Sequence, residues 1–139
     1  MKDNKFIVIV TFVVTIISLI VMVKTCKKTE ESVILAEKSV KIMEKENKLR
    51  IAEAKFDNAG DNTDMCLESY TIYREIFEMD NNDKTGYYKF LDKANGRLNE
   101  LLNDETTEWY LLRAKELTKD SKEIETIDSL LKKCQNEKY

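Results

Sequence analysis

An all-α protein is the fold class this sequence predicts: a single N-terminal transmembrane helix, a long helical stalk, then antiparallel helical hairpins. Three observations predict it. Residues 6–23 read FIVIVTFVVTIISLIVMV, a run without a single charge. Helix breakers are scarce, with no proline and three glycines in 139 residues. Beyond residue 30 the apolar positions recur at helical spacing, and no stretch alternates at period two for long enough to argue a strand.

The run 6–23 has Thr11, Thr15 and Ser18 as its polar side chains. Coiled as a helix it measures about 27 Å, close to the hydrocarbon thickness of a bilayer. Eleven of its eighteen residues are Val or Ile, which favour strands in water. Lipid overrides that preference, because a helix satisfies its backbone groups within one segment. A cleaved signal would need small residues at a cleavage site, and Val23-Lys24-Thr25-Cys26 follows instead. A lipoprotein leader would make Cys26 the acylated residue, but Lys24-Thr25 departs from the small, uncharged pair expected there. The reading adopted is an uncleaved signal-anchor behind a tail of residues 1–5. Cys26 beside the membrane stays open to lipidation. Thr11, Thr15 and Ser18 share one stripe, where hydroxyls either bridge two spans or bond the preceding turn; the second is expected.

Sidedness is nearly balanced. Lys2 and Lys5 flank one end of the span and Lys24, Lys27 and Lys28 the other. The lysine count favours a cytoplasmic C-terminal domain. The short basic tail before a long apolar run favours export, and the extracytoplasmic arrangement is the working expectation.

Residues 24–46 are expected as a membrane-proximal stalk helix and 47–139 as a helical domain. Leu35, Ile42, Leu49 and Phe56 repeat every seven residues, with Ala52 and Ala59 joining late. Val33, Val40 and Ala54 lie on another face. Glu37–Lys41 and Glu44–Lys48 are spaced for intrahelical pairs. Ser39, Glu46 and Glu53 fall between the leading heptad positions, so the first stripe does not make a self-sufficient coiled coil. Residues 57–63 form a turn by composition, with Gly60 suited to a left-handed cap and Asp61 or Thr63 to opening the next helix. A second helix over about 63–79 presents Cys66, Tyr70, Tyr73 and Phe77, with Met65, Ile72 and Ile76 beside them. A third, about 85–103, presents Tyr87, Leu91, Ala94, Leu98 and Leu101. A fourth, about 106–118, carries Trp109, Tyr110, Ala114 and Leu117. The fifth opens with Asp120 and Glu123 in capping-box spacing and carries Ile124, Ile127, Leu131 and Cys134.

Tyr73, Ile76, Phe77 and Met79 before the Asp80-Asn81 corner resemble the end of the second helix of a tetratricopeptide repeat. In that family an aromatic precedes an aliphatic pair and an Asp-Pro-Asn corner; Asn81 stands here where the proline would be. The resemblance spans about 47–120, with Ser69 at the small mid-helix position. It implies helix pairs on either side of Asp80 and a concave protein-binding face.

Composition excludes several chemistries. The chain has no histidine, which removes His-based acid–base catalysis, most nucleophilic triads and the commonest zinc ligand sets. No phosphate-cradling glycine loop and no GxSxG elbow occurs, and no cofactor is expected. Residues 24–57 carry nine Lys/Arg and seven Asp/Glu, whereas residues 58–139 carry twelve and eighteen. An acidic distal domain repels phosphates, so nucleic acid is not an expected partner. Asp80 to Gly86 invites a calcium reading, but Lys84, Thr85 and Leu91 occupy the fifth, sixth and twelfth loop positions. A helix-to-helix turn is expected.

The candidate site residues are aromatic. Tyr70, Tyr73, Tyr87, Tyr88, Trp109 and Tyr110 are expected mostly in the core, with any left on a groove serving as anchors for a protein partner. Cys66 and Cys134 are expected as small buried hydrophobes, with a disulfide between them open if the domain is exported. The functional expectation is not an enzyme. It is a membrane-anchored scaffold or adaptor that binds another protein through its helical domain. The alternative is a structural membrane-to-envelope linker, in the manner of phage spanins, whose long helix self-associates.

Overall fold

The computed structural model describes residues 2–136; Met1 and residues 137–139, the extremes of the expected tail and domain, lie outside the described residues. Five helices and no strand occur among the described residues: α1 (Lys2–Ala59), α2 (Thr63–Met79), α3 (Thr85–Asn99), α4 (Glu105–Glu116) and α5 (Ser121–Asn136). The chain divides into two units, residues 1–43 and 44–139.

In the first unit α1 is uninterrupted, so the expected span and stalk are one helix. The apolar stretch is wholly exposed, consistent with a single membrane span or a signal. Thr11 and Thr15 donate their hydroxyls to the carbonyls of Ile7 and Thr11, at 2.9 and 2.8 Å, which satisfies them within their own helix.

The second unit packs the end of α1 against α2 and then α2 to α5 in succession. Lys48 pairs with Glu75 and Lys55 with Glu68, so the two helices run antiparallel. The Ser69 hydroxyl, fully buried, donates to the carbonyl of Ala52 at 2.7 Å and locks their register. The expected α1 stripe is used only from Leu49 onward: Ala52, Phe56 and Ala59 are buried, whereas Leu35 and Ile42 stand in solvent.

Turn chemistry explains where the helices stop. Gly60 adopts φ +55°, the left-handed conformation that ends α1 at little steric cost. The residue that caps α2 is Asn62, whose side chain accepts from the backbone N–H of Asp64 and Met65, rather than Asp61 or Thr63. Asp104 caps α4 and Asp120 opens α5, accepting from Lys122 N–H at 2.9 Å. The capping box is not closed, because Glu123 turns instead to the Thr118 hydroxyl and to Lys84 Nζ.

Helix α3 ends four residues before the expected 103. The N–H of Leu102 bonds the carbonyl of Arg97 and that of Leu101 bonds Leu98, a Schellman closure that throws Leu101 to φ +62°. Leu101 is 82% exposed, so packing does not offset the strain of a Cβ there. Leu101→Gly is expected to stabilise the domain by about 1 kcal/mol, read as a raised urea midpoint; an unchanged or lower midpoint would contradict this account.

The corner between α2 and α3 is held by charge. Lys45 Nζ sits 2.7 Å from Asp80 and 2.9 Å from Asp83. The Lys45 hydrogen bond and the Asn82 N–H hold the Asp80 carboxyl below its ordinary range. Burial pushes Asp83 up, but Lys45 and the Thr85 N–H outweigh it and bring that carboxyl down too. Backbone N–H groups of Lys122 and Glu123 depress Asp120 in the same way. Carboxylates depressed by folding stabilise the native state above their unfolded pKa, near 4, and lose that contribution as pH falls through the folded values. With no histidine to titrate, the urea midpoint is expected to be flat from pH 6 to 8 and to drop on acidification below about 4. A midpoint that instead changes between pH 6 and 7 would contradict it.

Candidate protein-docking surface

Phe90, on α3 and absent from the expected apolar stripe, is the centre around which the aromatics organise. Its ring is fully buried, with centroids 5.0 Å from Phe56, 5.9 Å from Tyr70, 6.3 Å from Tyr73, 5.9 Å from Trp109 and 6.1 Å from Tyr110. Edge-on and tilted geometries dominate, as ring quadrupoles prefer. Its neighbours in the chain are Lys89 and Leu91, and the choice of stripe through Tyr87, Leu91 and Ala94 passed over it. The i+3 spacing from Tyr87 and the i−4 spacing from Ala94 were the available signal.

This packing takes four of the six candidate anchors into the interior. Tyr73 and Tyr110 are fully buried, and Tyr70 and Tyr87 nearly so. The rings of Tyr70, Tyr73 and Tyr110 pack against Phe90, and that of Tyr87 against Tyr88. The Tyr110 hydroxyl meets Cys66 Sγ at 3.5 Å, and burial pushes its pKa well up. Burial does the same to Tyr73, whose hydroxyl has no hydrogen-bond partner among the described residues. Cys66 and Cys134 are both fully buried in the core, and no disulfide joins them in the structure.

Two candidates reach solvent. Tyr88 is exposed, edge-on to Tyr87 at 5.0 Å, and lines a shallow depression with Lys84, Thr85, Lys89 and Asp92. Trp109 is half-buried: one side leans on Phe90 and Tyr110, and the Arg113 guanidinium lies 5.4 Å from its ring. The same guanidinium sits 5.0 Å from the Tyr70 ring and pairs through Nη1 with Glu116 at 2.8 Å. The Tyr70 hydroxyl donates to that Glu116 carboxylate. Burial, followed by the Glu116 hydrogen bond and charge, raises the Tyr70 pKa, so the phenol stays protonated as a donor.

Sequence reasoning did not single out Arg113 or Glu116. An arginine four residues after a tryptophan on a helix is the signal that could have found them. Stacking holds the guanidinium against both the Tyr70 and Trp109 rings. Arg and Trp are also the residue types that carry most energy at protein interfaces.

The acidic corner between α2 and α3 is engaged structurally. The Asp80 and Asp83 carboxylates are occupied by Lys45. Among the described residues no group of three or more His, Cys, Asp or Glu is placed to hold a metal ion. Comparison of the chain with known protein families, with curated proteins and with solved structures gives no match.

Proposed function

We propose that the chain is a membrane-tethered adaptor: residues 6–23 cross the bilayer once, and the domain of residues 44–139 presents a rigid surface to a protein partner, with no catalysis of its own. The observation that carries this reading is the apolar stretch 6–23, wholly exposed along a helix whose other end, from Ala52 to Ala59, is built into a packed core. An apolar surface of that length suits the hydrocarbon core of a bilayer. The helix then joins membrane and domain without a break.

The pre-stacked Trp109–Arg113 pair and the exposed Tyr88 supply the anchors. Successive antiparallel hairpins are the architecture that tetratricopeptide-like arrays use to present such side chains, and we read α2 to α5 as a divergent array of that kind. Confinement to a membrane raises the effective concentration of the anchored domain for a partner on the same surface. The basic tail before the span favours an extracytoplasmic domain.

Two measurements test the reading. Alkaline carbonate extraction should leave the full-length protein in the membrane fraction, and complete release would refute the tether. A photo-crosslinking amino acid placed at Tyr88 or Leu112, both exposed, should capture one recurring protein that the same group at Lys132 does not. Identical, diffuse products from all three positions would refute the docking surface. Protease accessibility in intact cells reports the side.

A further inference from the structure

The stalk carries one face that neither the span nor the domain accounts for. Written as heptads, residues 25–43 place Cys26, Val33 and Val40 at a, Thr29, Ala36 and Met43 at d, and Thr25, Ser32 and Ser39 at g. No charge interrupts this face over nineteen residues. The lysines of the segment, Lys27, Lys28, Lys38 and Lys41, and Lys24 just before it, all fall at b, c or f, on the far side. Val33, Val40 and Met43 are 51%, 62% and 68% exposed. The hydroxyls of Thr25, Thr29, Ser32 and Ser39 donate to carbonyls one turn back, at 2.8 to 2.9 Å. Their donors are already satisfied, so covering this face strands none of them.

We propose that two copies of this chain pair in parallel along this face, with Cys26 meeting Cys26 of the second copy where the helix leaves the membrane. The charge pattern identifies the occupant. In a parallel pair each g residue faces the e residue five positions on in the other copy, which sets Thr25 against Glu30 and Ser32 against Glu37. No like charges meet. An antiparallel pair would set e against e, glutamate against glutamate, and copies inserted the same way in one membrane cannot adopt it. Val at successive a positions favours two strands over three or four. The other stripe, Leu35 and Ile42, lies among Lys24, Lys28, Lys38 and Glu31 and offers no uncharged seam. With small residues at several layers the seam is short and shallow, so pairing depends on confinement of both copies to one bilayer. The inference therefore rests on the tether proposed above.

Cysteine crosslinking in native membranes tests it, on the full-length protein with copper phenanthroline as oxidant. The wild-type chain should form a disulfide dimer at twice 16.3 kDa, and Cys26→Ser should abolish it, since Cys66 and Cys134 are buried. On the Cys26→Ser background, Val33→Cys and Val40→Cys should crosslink at least about fivefold more than Leu35→Cys and Lys38→Cys, following the heptad. Equal yields at all four positions, a maximum at Leu35→Cys, or no dimer in membranes that retain the protein after carbonate washing would overturn the pairing while leaving the tether intact. A crosslinked product of another mass would assign the face to a different protein and overturn it as well. Release by carbonate would overturn both.

Discussion

Phe90→Ala is expected to destabilise the helical domain by about 3–5 kcal/mol, the largest effect of any single substitution proposed for this protein. The ring is fully buried and its truncation leaves five aromatic neighbours, contributed by α1, α2 and α4, without their common partner. Two terms add: the transfer free energy of the lost ring, and a cavity that rigid rings collapse into poorly. Domains of this size are stable by only about 5–15 kcal/mol, so the loss consumes a large share of the total. The chain's single tryptophan reports it, since Trp109 lies 5.9 Å from Phe90. Its fluorescence midpoint in urea should fall sharply, and its thermal midpoint by more than about 12 °C. A loss under about 1 kcal/mol would show that Phe90 is not the hub of the core.

The second large effect comes from a single added methyl group. Gly86→Ala would place a Cβ 2.7 Å from Tyr73 Cβ, 2.8 Å from its Cγ and 3.0 Å from Leu117 Cδ1. Tyr73 Cβ and Cγ lie close to the backbone of α2 and cannot swing aside, so α2 and α3 must separate. Overpacking of this kind costs about 1–3 kcal/mol. Gly96 supplies the internal control: it also lies within α3, but a Cβ there meets nothing within 4 Å. Gly96→Ala should stabilise the domain by up to about 1 kcal/mol through helix propensity alone. The same substitution is thus expected to carry opposite signs ten residues apart on one helix. Equal effects at both glycines would show that propensity, and not the approach of α3 to Tyr73, decides Gly86.

Most of the helical architecture was legible because its signals are local. The bounds of α2 follow from the Gly60 to Thr63 and Asp80 to Asp83 turns, and the structure places that helix at Thr63–Met79 as the spacing predicts. Cys66, Tyr70, Tyr73 and Phe77 do form its buried face. The end of α3 was missed because Leu101 takes a conformation that sequence reasoning reserves for glycine. Arg97 makes that turn worthwhile, reaching forward to Asp104 at 2.6 Å and the Thr107 hydroxyl at 3.1 Å. Leu101 falls on the apolar stripe by spacing, yet it is 82% exposed.

The proposed docking surface was less legible. Helical spacing says which aromatics share a face but not which of them another helix will cover. Tyr87 and Tyr88 are adjacent in the chain, yet one is buried and the other exposed. Trp109 and Tyr110 divide the same way, the first half-buried and the second fully so. The Arg113 stack depends on Tyr70 from a different helix, forty-three residues earlier, and no local pattern carries that approach.

By itself the sequence determined an uncharged N-terminal run of membrane-spanning length, an all-helical chain, the places where three of its turns fall, and the absence of any histidine chemistry. These properties belong to residue type and short-range spacing, which act wherever the chain goes. Only the tertiary structure decided that Phe90 centres the core, that Gly86 is where α3 meets Tyr73, and that Tyr88 and Trp109 are the two of the six candidate aromatics that reach the surface. Those outcomes depend on which helices come together, and close packing makes each burial conditional on neighbours distant in the chain.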